Sequence, residues 1–525
     1  MDDERYDVIQ IGYGPGGQAL TALLRTFGDR VLAVERHSDP YNLPRAGHID
    51  HEVLRTVQAV GQASELEPKL WKVSGDYVYV NGEYDVLMSH PIDVEERSIS
   101  GWHSDYTLYQ PDLEDAFNAA VASVGGELAL GWDLVGVEQS DDEVVASLRR
   151  VQYVEGVRTD LDEWRTVRAS YLVAADGASS FVRRTLGIGQ EDMGFDERFL
   201  VVDMLTIGEH VFDPNMAQVC DPARPRMLIP LGPRHRRFEF ALRSHDTTEE
   251  MERPETAWKL LSEWGVTPET HRIVRQVVYQ FQARVAERFR EGRILLAGDA
   301  AHTMPPFAGQ GLCSAVRDSC NLGWKLHLVL RGDAPERLLD TYEPERRPHV
   351  LAWTAISIAE GQVNCVWDPA EAHERDLRFK AGWRPPVYDL PKLTAGVLSP
   401  RTHPLVGDLC LQAPVRSDSG TGLLEDLVPG YRFRLLVFDV DPDQVLEPEA
   451  RRVLTKLGGN VVRLAPAGAA ADGAFEDVTG AYQAWFAEHQ IIGLLERPDF
   501  YVFGVAATVE ELSALVLELD SALAS

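Results

Sequence analysis

Residues 292–311, GRILLAGDAAHTMPPFAGQG, restrict the fold more than any other stretch of this 525-residue chain. Ile294, Leu295 and Leu296 form a short apolar run, the pattern of a buried strand. Gly298-Asp299 ends it and leaves a carboxylate that can accept hydrogen bonds from a polyhydroxylated chain. Pro305-Pro306 stiffens the next turn, because each ring fixes φ and removes a donor. Gly309-Gln310-Gly311 lets the backbone come close to a flat ligand, and Leu312, Val316, Leu322 and Leu326 predict a helix directly after it. A helix start offers unpaired N–H groups and a positive dipole end to an anion. The stretch therefore predicts a cradle for an extended cofactor with a planar, negatively charged head.

The amino-terminal segment supplies a second, complementary signal. DVIQIGYGPGG reads as a strand entering Gly12-x-Gly14-x-x-Gly17, and Leu20, Leu23, Leu24 and Phe27 place an amphipathic helix behind it. The next strand, 30–34, ends at Glu35, about 20 residues beyond the glycines, where a ribose hydroxyl needs an acceptor. Glycines, helix and acid at this spacing predict a dinucleotide site without separating FAD from NAD. The chain carries no second glycine fingerprint.

Composition narrows the remaining classes. Fifty-one basic against 82 acidic residues give a net charge of −31, which argues against nucleic acid or an anionic membrane as a partner. The five cysteines are scattered, with no C-x-x-C, so neither a disulfide framework, a zinc site nor a dithiol redox centre is expected. No metal site is expected elsewhere: Asp141-Asp142-Glu143 reads as a solvated turn. The acidic start runs straight into a strand and no apolar run reaches the length of a membrane span, so the expectation is a cytoplasmic protein.

GDAAHTMPPFAGQG followed by Asp318 and NLGWKL, together with YLVAADGASSFVR around Asp176, resembles the FAD-dependent aromatic hydroxylases of the p-hydroxybenzoate hydroxylase family. The strings Arg45–Asp50 and Tyr109–Leu113 and the carboxy-terminal segment 495–504 resemble its 3-(3-hydroxyphenyl)propionate hydroxylase branch. The resemblance implies an α/β protein. It would have a Rossmann-like FAD-binding domain (1–75, 101–190 and 286–368, with helices), an inserted antiparallel-sheet substrate domain (76–100 and 191–285), a linker (369–400) and a thioredoxin-like domain without a redox dithiol (401–525). That last unit reads as structural or as an element of a homo-oligomer. The alternation of Phe238, Phe240 and Leu242 with Glu239, Ala241 and Arg243 predicts a sheet whose apolar face roofs the cofactor.

The same resemblance implies resident FAD held by Gly12, Gly14, Gly17, Glu35, Arg36, Arg45, Gln110, Leu134, Asp176, Gly298, Asp299, Pro305, Gly309, Gln310, Gly311 and Leu312. NADH or NADPH would reduce it, and O2 would then give a flavin hydroperoxide that hydroxylates a small electron-rich aromatic substrate. A base would activate the ring; His48 is the candidate, with Asp50 beside it. For these two residues a solvated loop and a helix cap at Asp50 is the alternative. A flavin halogenase would need a W-x-W-x-I-P string, which is missing. An epoxidase or Baeyer–Villiger-type oxygenase of an aromatic polyketide shares every motif, and a non-catalytic flavoprotein interaction or redox-sensing module is a further reading.

Overall fold

The computed structural model describes residues 4–524 apart from 40–42, 73–74, 93–94, 155, 213–214, 386–389, 441–445 and 470–472. Its centre is a sheet with a parallel core. Strand Glu4–Ile11 lies between Val31–Glu35 and the long strand Val157–Ala174, with Glu127–Leu130 and Ile294–Leu296 outside them. Val8, Ile9, Leu172, Val173, Leu295 and Leu296 are buried, as expected for a parallel sheet covered on both faces. Helices Pro15–Thr26 and Gln310–Leu330 pack together beside the glycine loop. Gly16 permits that approach, since a Cβ there would lie 3.1 Å from the Ala315 Cβ.

A second sheet of eight strands runs in the order 302–303, 271–286, 190–206, 235–241, 226–231, 216–220, 75–81 and 86–92. It draws on both inserted stretches. It is antiparallel except for one pair, Met216–Cys220 beside Gly75–Asn81, which is parallel and departs from the all-antiparallel expectation. The connection between these two strands spans other elements, so no hairpin forces them antiparallel.

The two faces of this sheet reverse the expected assignment. Phe238, Phe240, Leu200, Val202 and Leu228 pack against Ala257 and Leu261, on the helix Pro254–Leu261, and so lie under a helical cover. The other face carries Val201, Glu239, Met227, Gln218 and Tyr79 in one cross-strand row, and that face meets the cavity. Period-two alternation separates two faces but does not say which one a helix will cover.

The carboxy-terminal sheet has seven strands. Arg434–Phe438 pairs in parallel with Asn460–Ala465 and antiparallel with Gly493–Glu496, which in turn pairs with Val502–Ala506. Val509–Ala524 is the closing helix. The stretch 369–400 is not simply a linker: Pro369–Lys380 is a helix capped by Asp368, whose carboxylate accepts the Ala370 and Glu371 N–H groups. The Asp-Pro start and the buried Ala372 and Phe379 explain it, and residues 386–389 lie outside those described. No described helix is long and apolar enough to cross a membrane.

Candidate active site

One cavity of about 1690 Å³ runs from the glycine loop to the polar face of the second sheet. Its dinucleotide end is built from the strand–loop–helix unit at the amino terminus. Gly12 has φ +92°, and Gly14 caps the helix Pro15–Thr26 with an extended backbone. A Cβ on Gly14 would meet no protein atom within 4 Å, whereas one on Gly17 would lie 2.3 Å from Gln10 Nε2. Gly14 thus faces open space while Gly17 allows the helix to close on its strand. Glu35 accepts the Tyr13 and His37 N–H groups at 3.0 Å each, which fixes its carboxylate at the cavity wall beside Arg36 and Leu134.

Three further segments complete this end. Gln110 accepts the Arg45 and Ala46 N–H groups at 3.0 and 2.7 Å and donates to Glu114 at 2.5 Å, so one amide sets the course of the loop at Arg45. Asp176 accepts the Val182 N–H at 3.2 Å, while its Oδ1 is buried without a hydrogen-bond partner and its carboxyl is pushed up by burial. Arg183 donates to the Ala178 and Ala300 carbonyls at 2.8 Å, bracing the Asp176 loop against the 298–301 turn. Replacing Gln110 with Ala would leave two N–H groups of the Arg45 loop without their acceptor. FAD affinity is expected to fall by about 1–3 kcal/mol, read by reconstituting apoprotein with FAD and following flavin fluorescence.

The motif at 292–311 forms the opposite wall. Gly298, Asp299, Pro305, Gly309, Gly311 and Leu312 line the cavity. Gln310 does not: its side chain turns into the protein and accepts from Arg317 at 2.8 Å. Burial pushes the Asp299 carboxyl up, offset in part by His302 and Arg45. Asp318 locks the turn to the helix by accepting from the Gly298 N–H (2.9 Å), His302 (2.7 Å) and Arg346 (2.8 Å). Burial opposes its charge, yet His302 and Arg346 hold its carboxyl down to about 2.

His48 and Asp50 separate. Asp50 does not line the cavity; its carboxylate accepts the Glu52 and Val53 N–H groups as the cap of helix His51–Ala59 and pairs with Arg317. His48 does line the cavity. Its Nδ1 faces the Gly309 carbonyl at 3.1 Å and its Nε2 faces Asp105 at 2.8 Å. Both partners can accept, so the geometry favours a ring that donates from both nitrogens. Burial works against that charge, but Asp105 and, after it, Cys313 outweigh it and hold the imidazole well above its ordinary range. With both nitrogens turned to protein acceptors, His48 presents no ring lone pair to the cavity in this geometry.

The sheet end of the cavity holds side chains that motifs do not announce: Tyr77, Tyr79, Met227, Glu239, Tyr279 and Glu360. Tyr79 donates to Glu360, which reaches it from the helix Tyr342–Asn364. Glu239 is 2% exposed. Its one sequence signal is an acid within an otherwise apolar alternating strand.

The donors and open space at the dinucleotide end fit FAD: an extended glycine turn at a helix start, a fixed acid at the ribose distance, and a buried Asp176 oxygen lacking a partner. The FAD binding domain family model matches residues 5–357, and an HcaD C-terminal domain model matches 407–522. The chain belongs to the FAD binding domain family. This flavoprotein is 38% identical over 527 residues to a probable NADH-specific resorcinol 4-hydroxylase of Rhodococcus jostii, covering 99% of this chain and 95% of that protein. It is 32% identical to a 3-(3-hydroxy-phenyl)propionate/3-hydroxycinnamic acid hydroxylase of Escherichia coli, over 94% and 91% of the two chains. Among solved structures, the flavin-dependent monooxygenase PieE superposes with a TM-score of 0.81 at 21% identity, each chain covered completely. Aklavinone-11 hydroxylase gives 0.78 at 24%, over 99% and 100% of the two chains. The flavoprotein is an FAD-dependent aromatic hydroxylase that takes its electrons from a nicotinamide.

Proposed function

We propose that this flavoprotein hydroxylates a small phenol, with NADH as the electron donor. The observation that carries the reading is the cavity that runs continuously from the dinucleotide cradle to the space under the second sheet. Bound FAD supplies hydride acceptance and the activation of O2. The chain supplies the setting. Helix Gln310–Leu330 directs its positive end at the cavity and His48, whose surroundings favour its charged form, stands beside it, so both favour negative charge on the reduced cofactor ring. Pro306, Phe307 and Phe281 at the chamber wall exclude water from the reacting centre. Both relatives described above are named for hydroxylation of phenols, and one of them for NADH.

Asp105 favours the charged form of His48, and Gly309 holds its other nitrogen; the pair is a positioning and electrostatic element in this reading. The test is oxidation of NADH and of NADPH by the FAD-loaded protein with a panel of phenols under 18O2, with mass spectrometry of the products. Expected is substrate-stimulated NADH oxidation and one labelled oxygen on the ring of a monocyclic phenol. Labelled epoxide or ester products would replace hydroxylation by another oxygenation, and stimulation without labelled product would remove the reading.

A further inference from the structure

The chamber under the second sheet carries two carboxylates, and Arg237 and His48 beside it are already engaged. Arg237 is held by Asp203 (Nε–Oδ1 2.7 Å) and donates to the Pro44 and Arg45 carbonyls. His48 is held by Asp105. Arg45 acts at the dinucleotide end, where its charge bears on His37, Glu114 and Asp299. Against these stand Glu239 and Glu360. Glu239 is the sharper case. It is almost wholly buried, its Oε1 is 3.9 Å from Arg237, and its Oε2 has no hydrogen-bond partner. Burial pushes its carboxyl up to about 7; Arg237 pulls it down and Asp203 pushes it up.

A buried acceptor without a donor is costly, and a ligand O–H that reaches it removes the cost. A ligand carboxylate brought to the same wall meets Glu360 and the ionised form of Glu239, while Arg237 and His48 are already committed to Asp203 and Asp105, so it is penalised. We propose that Glu239 accepts the hydrogen bond of a substrate ring hydroxyl, and that this chamber selects uncharged phenols over phenols bearing a carboxylate. The inference rests on the hydroxylase reading for its placement of the substrate.

The experiment is a titration of the FAD-loaded enzyme, without NADH, by resorcinol and by 3-hydroxybenzoate, two meta-substituted phenols differing in charge. Binding is followed by perturbation of the flavin absorbance. Resorcinol is expected to bind at least about tenfold more tightly, and Glu239→Gln to bring the two within roughly threefold. Glu239→Arg is expected to reverse the preference. The flavin spectrum of each variant reports an intact cofactor site, and if Glu239→Arg fails to hold FAD the Glu239→Gln ratio decides. Equal binding of the two ligands by the unmodified enzyme, binding of neither, or an unchanged ratio in Glu239→Gln overturns the proposal. Because no turnover is needed, the two readings fail separately. Selective, Glu239-dependent binding of resorcinol without oxygen insertion supports this inference and overturns the hydroxylase reading alone.

Discussion

Gly12→Ala is expected to give a colourless protein that purifies without FAD. A Cβ at this position would lie 2.2 Å from the Ala175 carbonyl oxygen, 2.6 Å from its carbon and 2.9 Å from the Asp176 Cα. These are backbone atoms and have little room to retreat. Ala175 donates its N–H to the Ile11 carbonyl at 2.7 Å, and Ile11 pairs with Ala174 in the parallel sheet. The residue also sits at φ +92°, where an L side chain is strained. Overpacking costs about 1–3 kcal/mol, and the left-handed backbone adds roughly 1–2 kcal/mol. Together these correspond to a loss of FAD affinity of roughly two to three orders of magnitude. The loss is directed at the cofactor because the strained crossing joins two loops that both line the cavity. Gly14→Ala is the informative companion. Its Cβ meets no protein atom within 4 Å, so thermal stability should match the unmodified protein while FAD retention falls. Retention of FAD by both variants would remove the glycine turn from the cofactor site.

Gly12 and Gly14 also show what kind of information the sequence carries. Local turn chemistry is written in residue type: only glycine tolerates the Gly12 backbone, and only a fixed acid after the second strand gives the Glu35 geometry. That is why the cradle, the two motifs of its walls and the helix behind each were readable without coordinates. Long-range choices were not written locally. Glu239 and Phe240 are adjacent, and alternation placed them on opposite faces, yet which face meets the cavity depended on the helix Pro254–Leu261 covering the phenylalanines. Asp105 carries no motif and acquires its role only because its strand pairs with His48–Asp50. Asp50 reads from the sequence as either a site residue or a helix cap, and the structure makes it the cap; Gln310 neighbours cavity residues, but its contact with Arg317 turns it inward. Side-chain direction at a loop end is set by its packing partners, and these lie far away in sequence.

Arg55→Ala should cost the protein about 3–5 kcal/mol, the range for removing one partner from a buried ion cluster. Arg55 projects from the helix His51–Ala59 into the carboxy-terminal unit and is 1% exposed. It donates through Nε to Glu425 at 3.0 and 3.2 Å, through Nη2 to Glu496 at 2.7 Å, and through Nη1 to the Cys410 carbonyl at 2.7 Å. Arg434, also buried, is 3.2 Å from Glu496 and 3.8 Å from Glu425. The cluster is balanced, two guanidinium groups against two carboxylates. Alanine would leave one negative charge in excess and an unfilled volume against the Phe500 ring, whose centroid lies 4.6 Å from the guanidinium. The excess charge sets the sign of the pH dependence. Burial already pushes the Glu496 carboxyl up, and loss of Arg55 removes a group that pulls it down. A carboxyl whose folded-state value lies above its unfolded value destabilises when ionised, so the deficit of the variant should be full at pH 8 and shrink as the pH falls towards 5. The exposed Lys380–Asp85 pair provides the contrast, because Lys380→Ala should cost at most about 1 kcal/mol. Urea unfolding of both variants at pH 5 and pH 8 measures the difference; a deficit below that of Lys380→Ala at pH 8 would sink the argument. The effect should also reach the cofactor. The helix that carries Arg55 begins at the Asp50 cap, Asp50 pairs with Arg317 on the Gln310–Leu330 helix, and His48, two residues before Asp50 on the same short strand, stands at the cavity wall. A carboxy-terminal unit anchored through Arg55 therefore helps to hold the charged wall of the active site in place, and Arg55→Ala should release FAD more readily at pH 8 than at pH 5.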